Sequence, residues 1–387
     1  MNGFGKDLDL SRIVFAVTVT IHALIHLIGV AREWNLADVN PLTGKTLFPM
    51  TGTIAKASGF LWLLAFLCFI AAATGLFLKP DLWWTAGLGG VAISQLLIIV
   101  YWQDAKAGTV LNIVILIVSL AGYGRWSFSN TSRAEVRDLL RNVKEDTAAV
   151  VTLDTLKQLP EPIQRWLIAS GVVGKPRVQT VRLKQRGLMR TDPEGSWMPA
   201  EAEQFFTVDE PGFVWTVDVT MAGVIPVSGR DRYRNGKGNM LIKGFSLIPM
   251  VNGSGPKIDQ GTLLRYLGEI VWFPSAALSD YIEWTSLDSV SAQATMKYGD
   301  VLASAIFQID GNGNVISCSA ERYMGDGEKA TLERWHVPSK EWHVMSGLRI
   351  PTKGDVLWKL ASGDFTYYQW EIVQIEYDTK TILDTVR

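Results

Sequence analysis

Long apolar runs separated by short polar segments fill the first third of the chain, and the pattern then changes. A membrane-spanning helix needs about 20 consecutive apolar residues. Four runs of that length predict spans at residues 13–31, 57–78, 82–102 and 108–125. Trp and Tyr residues lie mostly near the ends of these runs, which is typical of membrane–water interfaces. We therefore expect a four-helix bundle that crosses a bilayer.

A helical period continues past the fourth run. Residues 132–145 carry apolar side chains on one stripe, which predicts a helix that leaves the membrane. A second short helix follows, with Pro160 or Pro162 in its first turn and Gly171 at its end. We interpret this region as a helical linker.

From residue 175 the apolar period changes to two, which predicts ten to twelve short strands joined by local turns such as residues 234–238 and 310–314. Such strands form a mostly antiparallel sheet that curls like a half-barrel. The predicted fold class is α+β, a transmembrane bundle followed by a curled sheet with an inserted helix. The predicted domains are a four-span domain at 1–126, a linker at 127–172 and a soluble β domain at 173–387.

The inserted helix lies within residues 256–284, where apolar residues recur at helical spacing. Asp259 is the predicted N-cap, and Arg265 and Glu269 form an i, i+4 pair. One interpretation is a helix that completes the core, and the other is a lid over an apolar cavity. The lid interpretation gives a ligand site, with Arg265 facing a headgroup and aromatic residues at the entrance. Its predicted residues are Arg265, Tyr266, Glu269, Trp272, Phe273, Arg230 and Arg232.

The first span contains two histidines, His22 and His26, on one helix face. Polar side chains within a span usually face the bundle interior. We therefore predict an intramembrane polar cluster made of His22, His26, Gln95, Asp104 and Asn112. The pair is either hydrogen-bonded to Gln95, Asn112, Thr18 or a backbone carbonyl, or part of a proton- or quinone-linked site, or a metal or haem ligand.

Composition and motifs narrow the function classes. The formal net charge of −1 favours no nucleic acid. The sequence has no nucleophile elbow, P-loop, dinucleotide fingerprint or C-x-x-C motif, so we predict no catalytic residue, metal or cofactor and favour a protein that is not an enzyme. His336 and His343 bracket a predicted turn across which they could meet, with Glu333 and Glu341 nearby, but a metal site needs closer ligands with a second shell.

Several segments in order resemble a bacterial family known as a domain of unknown function. They are "LPEPIQRWLIASGVVGKPRVQTVRLKQRGLMR", "EAEQFFTVDEPGFVW", "GRDRYRNGKGNML", "DQGTLLRYLGEIVWFPSAAL" and "GDFTYYQWEIVQIEYD", within residues 155–380. "IHALIHLIGVAREW" and "YWQDAKAGTVLNI" resemble the four-span module of some relatives. The strand pattern is more loosely similar to the lipoprotein-carrier half-barrels of the LolA/LolB type, which implies a concave apolar face.

Three hypotheses follow. The first is a multi-pass protein of the bacterial inner membrane that holds a lipid or other hydrophobic molecule in its β domain. The second is a redox, proton or metal-linked protein that uses His22 and His26. The third is a scaffold or assembly protein whose protein partner the sequence does not identify. Four spans place both termini on one side, and the Lys and Arg distribution favours the cytoplasm.

Overall fold

The computed structural model describes residues 4–37, 42–143, 149–223, 225–325 and 327–378. The chain divides into two compact units, Met1–Phe128 and Ser129–Arg387. The predicted three-part division with a separate linker stays a prediction, and the end of its β domain, residues 379–387, lies outside the described residues.

The first unit is helical. Its helices are α1 (Phe4–Glu33), α2 (Thr53–Leu78), α3 (Trp83–Val100), the single-turn α4 (Trp102–Ala105) and the first part of α5 (Gly108–Leu140), which continues into the second unit. Of these, α1, α2, α3 and α5 are long and apolar enough to cross a membrane. The predicted helix at 132–145 is the continuation of α5 up to Leu140, and its last two residues lie outside the described part.

Apolar side chains cover both the inside and the outside of this bundle. Val19, Phe69 and Ile115 are fully buried between the helices, whereas Leu24 and Leu67 are about half exposed on the outer face. A helix that is apolar all round is typical of a membrane environment, because lipid tails solvate its outer face.

Two short helices precede the sheet, α6 (Leu153–Leu156) and α7 (Glu161–Ser170). The second is the helix that the sequence predicts. Pro160 is its N-cap, Pro162 lies in its first turn, and Gly171 ends it in the left-handed region at φ 76°. Its apolar face, which includes Trp166, is buried against the sheet.

Thirteen antiparallel strands form one sheet, which confirms the predicted α+β class with one strand more than expected. Its spatial order is β6-β5-β4-β3-β2-β1-β13-β12-β11-β10-β9-β8-β7, so every pair of adjacent strands is consecutive in the chain except β1 and β13, which meet at a seam. The strands are β1 (Thr180–Met189), β2 (Met198–Thr207), β3 (Gly212–Met221), β4 (Ile225–Arg234), β5 (Lys237–Gly244), β6 (Ile248–Ser254), β7 (Ile282–Ser286), β8 (Ser291–Tyr298), β9 (Val301–Ile309), β10 (Val315–Met324), β11 (Thr331–Met345), β12 (Leu348–Leu360) and β13 (Gly363–Tyr377).

The inserted helix is α8 (Pro256–Glu269), which lies between β6 and β7 in the chain. It packs against β4 and β5 on one side of the curl and against β9 and β10 on the other, so it bridges the two halves of the sheet. The helix begins one turn earlier than predicted. Asp259 is therefore not its N-cap but accepts hydrogen bonds from the Gly238 amide at 2.8 Å and the Lys237 ammonium at 3.0 Å.

Three short 3₁₀ helices complete the described structure: Ile270–Trp272, Pro274–Leu278 and Gly327–Lys329. The first two follow α8 directly, where Pro274 prevents the α-helix from continuing.

Candidate functional site

The concave face of the sheet forms a trough whose rows can be traced from the strand register. Residues directly opposite each other on antiparallel strands point to the same face. One row crosses β1 to β5 through Val181, Phe206, Phe213, Tyr233 and Gly238. Its aromatic members are fully buried beneath α8. We call this row, with the helix above it, the covered end of the trough.

Side chains from α8 and the following turn fill the covered end. Leu263, Leu267 and Tyr266 have no exposed surface, and neither does Phe273. The Phe273 ring lies 4.8 Å from that of Phe206, and the Tyr266 hydroxyl donates to the Thr207 carbonyl at 3.0 Å. The covered end is therefore ordinary close-packed core.

A row farther along the same strands has smaller side chains. It runs from Gln185 through Ala202, Val217 and Gly229 to Ile242. The next row along the strands contains Ala200, Val219 and Val227. We call these two rows the open end of the trough.

Residues of the open end keep some accessible surface. Ala202 is 7% exposed, Val217 6% and Val219 8%, although all three point into the concave face. At the covered end, Phe206 and Phe213 on the same strands have no exposed surface. These side chains are still buried in the core, but the open end is sealed less completely than the covered end.

A buried ion cluster separates the two ends. Arg265 on α8 donates to Glu269 at 2.8 Å and to Asp231 on β4 at 2.6 Å, and its guanidinium lies 4.5 Å from the ring centroid of Trp215. Gln204 donates to the second oxygen of Glu269 at 2.8 Å. The three charged side chains are each between 12% and 17% exposed. The cluster holds one positive and two negative groups and satisfies most of its own hydrogen bonds.

The electrostatics follow from burial and pairing. Burial raises the pKa of Glu269 above its usual range, although the Arg265 guanidinium and its hydrogen bond oppose the shift. Burial alone would lower the pKa of Arg265, but the Glu269 and Asp231 carboxylates outweigh it and the pKa is raised. Arg265 is therefore a permanent cation held between two acids.

The predicted ligand residues on the inserted helix lie deeper than expected. Trp272 is 4% exposed, and Tyr266 and Phe273 are fully buried, so these rings lie in the core and do not line an exposed entrance. Arg265 faces Asp231 and Glu269, so it does not face outward towards a headgroup. The predicted Arg265–Glu269 pair is present, but sequence spacing alone gave no indication of which strand lies opposite the helix.

Arg230 and Arg232 lie on the opposite, convex face of the sheet. Both contact Glu135 in the last part of α5, at 3.0 and 3.2 Å. Asp138 pairs in the same way with Arg234, and burial lowers the pKa of Arg230 against the pull of Glu135. These arginines attach α5 to the sheet through ion pairs within the second unit. Their predicted role at a phosphate is untested.

Four of the five residues of the predicted polar cluster come together inside the helical bundle, around His22 and His26. His22 Nε2 lies 2.9 Å from Asn112 Oδ1, and His26 Nε2 lies 2.8 Å from the Ser94 hydroxyl. Asn112 also donates to Ser94 and to Gln95 at 3.0 and 3.1 Å. The sequence analysis missed Ser94, although its position beside Gln95 in an apolar run was a usable signal.

Asp104, the fifth predicted member, belongs to a different site. Its carboxylate accepts from the Thr43 amide at 2.8 Å and the Gly44 amide at 3.0 Å, and from Arg32 at 3.3 Å. It therefore caps a loop instead of joining the histidines. Within the described ranges no three His, Cys, Asp or Glu side chains converge as a metal site requires.

His336 and His343 do not meet across a turn. Both lie on β11, which continues through Pro338 with two register irregularities, and each bonds to a neighbouring strand. His336 Nδ1 lies 2.7 Å from the Ser319 hydroxyl and His343 Nδ1 lies 2.8 Å from that of Thr352. The predicted turn is wrong because Pro338 lies inside β11, where it pairs with Ser317 on β10.

One protein-family model matches the part of the chain that forms most of the sheet and the inserted helix. A family of unknown function (DUF6544) matches residues 149–370, which is more than half of the chain. The chain belongs to this family. The DUF6544 region includes β1 to β12, most of β13, and α8, and so contains both ends of the trough. It confirms the resemblance drawn from the sequence segments.

Two solved structures are similar to the chain. One is a domain of an outer membrane lipoprotein-sorting protein from Vibrio parahaemolyticus, at 8% identity and a TM-score of 0.32, covering 59% of this chain and 93% of that one. The other is a LolA superfamily protein from Nitrosomonas europaea, at 9% identity and a TM-score of 0.31, covering 55% and 92%. They match the looser half-barrel resemblance, and scores this low carry no argument about a ligand. A search of curated proteins finds no match.

Proposed function

We propose that this protein is anchored in a bacterial inner membrane and holds an elongated apolar molecule, such as a lipid acyl chain, in the open end of the trough. The observation that supports the proposal is the contrast in burial along one concave face. The covered end is packed with no exposed surface, whereas the small apolar side chains Ala202, Val217 and Val219 of the open end each keep 6–8% of their surface accessible.

The dimensions of the open end suit an acyl chain. Its first row crosses six strands, from Gln185 on β1 to Val251 on β6. Adjacent strands lie about 4.8 Å apart, so the row is roughly 24 Å long. One leaflet of a bilayer has acyl chains of roughly 15 Å, half of its hydrocarbon core. Burial of such a chain is worth about 0.8 kcal/mol per methylene.

The edge strand offers a route into the trough. Ile248 on β6 lies opposite Gly244, in the row that contains Val227 and Val219, and is 61% exposed. An exposed apolar residue at the end of a trough row gives a lipid chain a continuous apolar surface from the edge to the interior.

The test is photocrosslinking of the full-length protein in phospholipid nanodiscs, with a diazirine-bearing fatty acid as the probe. Peptide mass spectrometry locates the adducts, so lipid around the helical bundle is distinguished from lipid in the trough. We expect adducts on the peptides that contain Ala202, Val217 and Val219. Labelling confined to α1, α2, α3 and α5 would contradict the proposal.

A matched pair of variants tests the location. Ala202→Phe fills the open end, whereas Glu201→Phe places the same ring on the outer face of the same strand, where Glu201 is exposed. We expect the first to abolish labelling of the strands and the second to leave it unchanged. Equal labelling of both variants would place the ligand elsewhere.

A further inference from the structure

Gln185 lies on the floor of the open end, next to the seam between β1 and β13. It is 3% exposed. Its Oε1 accepts a hydrogen bond from Trp215 Nε1 at 3.2 Å and one from the Tyr368 hydroxyl at 3.4 Å. One amide oxygen therefore joins side chains from three strands.

These bonds fix the orientation of the amide. The Trp215 indole N–H can only donate, so the atom that faces it must be the amide oxygen. The Nε2 group, with two N–H donors, then points away from Trp215 and Tyr368. Among the described residues none accepts from it, and it is not one of the sealed polar atoms, so the nitrogen keeps contact with solvent.

Its neighbours in the row cannot satisfy the donors. Ala202 lies opposite on β2 and Ile372 on β13, and both side chains are purely apolar. A buried amide nitrogen without an acceptor is costly once a ligand displaces the water that it contacts. A ligand that binds here must therefore bring an oxygen acceptor.

The nearby charges select the kind of acceptor. Arg265 packs on the same Trp215 ring, but its Nε donates to Glu269, its Nη1 to Asp231 and its Nη2 to the Gln204 oxygen. The two acids leave the cluster with an excess negative charge, which disfavours a free carboxylate or phosphate at Gln185. An uncharged carbonyl suits the site.

We propose that Gln185 donates a hydrogen bond to the carbonyl oxygen of an ester- or amide-linked acyl chain, which makes the ligand class of the trough neutral acyl lipids. This inference rests on the proposed function. It names the polar group that the trough recognises, while Ala202, Val217 and Val219 contact the chain.

The experiment uses the full-length protein in nanodiscs with two diazirine probes of equal chain length, a monoacylglycerol and the corresponding alkyl glyceryl ether, which lacks the carbonyl. We expect the ester probe to label the trough peptides about tenfold more than the ether probe, the effect of about 1.4 kcal/mol. Gln185→Glu keeps the oxygen that accepts from Trp215 and replaces the donor by a second oxygen. It should reduce the ester-to-ether ratio to about one while ether labelling stays.

Gln308→Glu is the matched control, because Gln308 is exposed on the outer face and also accepts a side-chain hydrogen bond, from Ser317 at 3.0 Å. It should leave the ratio unchanged. Equal labelling by both probes in the wild type, or a ratio that Gln185→Glu leaves intact, overturns the assignment to Gln185 while the trough stands. Absence of label from the strands with either probe overturns the proposed function itself.

Discussion

The covered and open ends of the trough share the same strands but differ in what lies above them. At the covered end, α8 supplies leucines and aromatic rings that fill the space over Phe206 and Phe213. At the open end, the same β2 and β3 present Ala202 and Val217 opposite each other, and both keep a small accessible surface. The comparison shows how one curled sheet has both a fully sealed core region and a less completely sealed concave region, with the Arg265 cluster between them.

Removal of that boundary should have the largest effect. Arg265→Met leaves Asp231 and Glu269 side by side without a cation. Loss of one partner from a buried pair costs about 3–5 kcal/mol, so we expect that loss of stability at pH 7.5. Thermal unfolding of the detergent-solubilised chain measures it.

The same variant has a signed pH dependence. Without Arg265 the folded-state pKa of Glu269, already raised by burial, rises further above its unfolded value. The folded state then binds more protons, so the stability of the variant should increase as the pH falls from 7.5 towards the unfolded pKa of about 4.3. A variant whose stability is independent of pH in that window would show that the carboxylates are well solvated.

The next largest effect should come from shortening an apolar side chain, which should cost more stability at the covered end than at the open end. Leu267→Ala removes a fully buried side chain and leaves a cavity, at a cost of about 3 kcal/mol. Val219→Ala at the open end leaves no sealed cavity, so we expect only the transfer contribution of about 1.5 kcal/mol. Denaturant unfolding gives both values. Equal losses would mean that the open end is packed as tightly as the covered end.

Added methyl groups provide the opposite test. A Cβ on Gly238 would lie 2.2 Å from the Thr262 hydroxyl and 2.8 Å from the Ile258 carbonyl, so Gly238→Ala must displace α8. We expect a loss of about 2 kcal/mol. A Cβ on Gly229 would meet only Val217 Cγ1, at 2.9 Å, and no backbone atom. Gly229→Ala should therefore cost less than Gly238→Ala, about 1 kcal/mol, by the same unfolding measurement.

Thiol labelling compares the accessibility of the two ends and should disturb the structure least. Cys318 lies beneath α8, and burial raises the pKa of its thiol to about 12. In a Cys68→Ala background we expect a maleimide to leave Cys318 unmodified in the folded protein, while Ala202→Cys is modified readily. Protection of both thiols would show that the open end is closed to small reagents.

The sequence predicted contacts between residues close in the chain better than contacts between distant residues. Apolar runs located the four helices, alternation located the sheet, and helical spacing located α8 and the Arg265–Glu269 pair. Asp231, the other partner of Arg265, comes from a strand 34 residues earlier. No periodicity encodes that contact, because it depends on how far the sheet curls.

The same limit explains why the partners of several other residues could not be predicted from the sequence. Asp104 was assigned to the histidine cluster from its proximity to the fourth span, but a loop with Thr43 and Gly44 binds it. Arg230 and Arg232 face Glu135, a residue of the preceding helix, because α5 packs on the convex side. In both cases the deciding partner is distant in the chain.

The seam between β1 and β13 sets the order in which the molecule can be completed during synthesis. Among the described strands β1 leaves the ribosome first, yet its second neighbour is β13, which follows the other eleven. Until β13 is made, β1 presents a free edge, which invites incorrect pairing. Gln185 belongs to β1 and Tyr368 to β13, so the polar floor of the trough assembles only after β13 has been made.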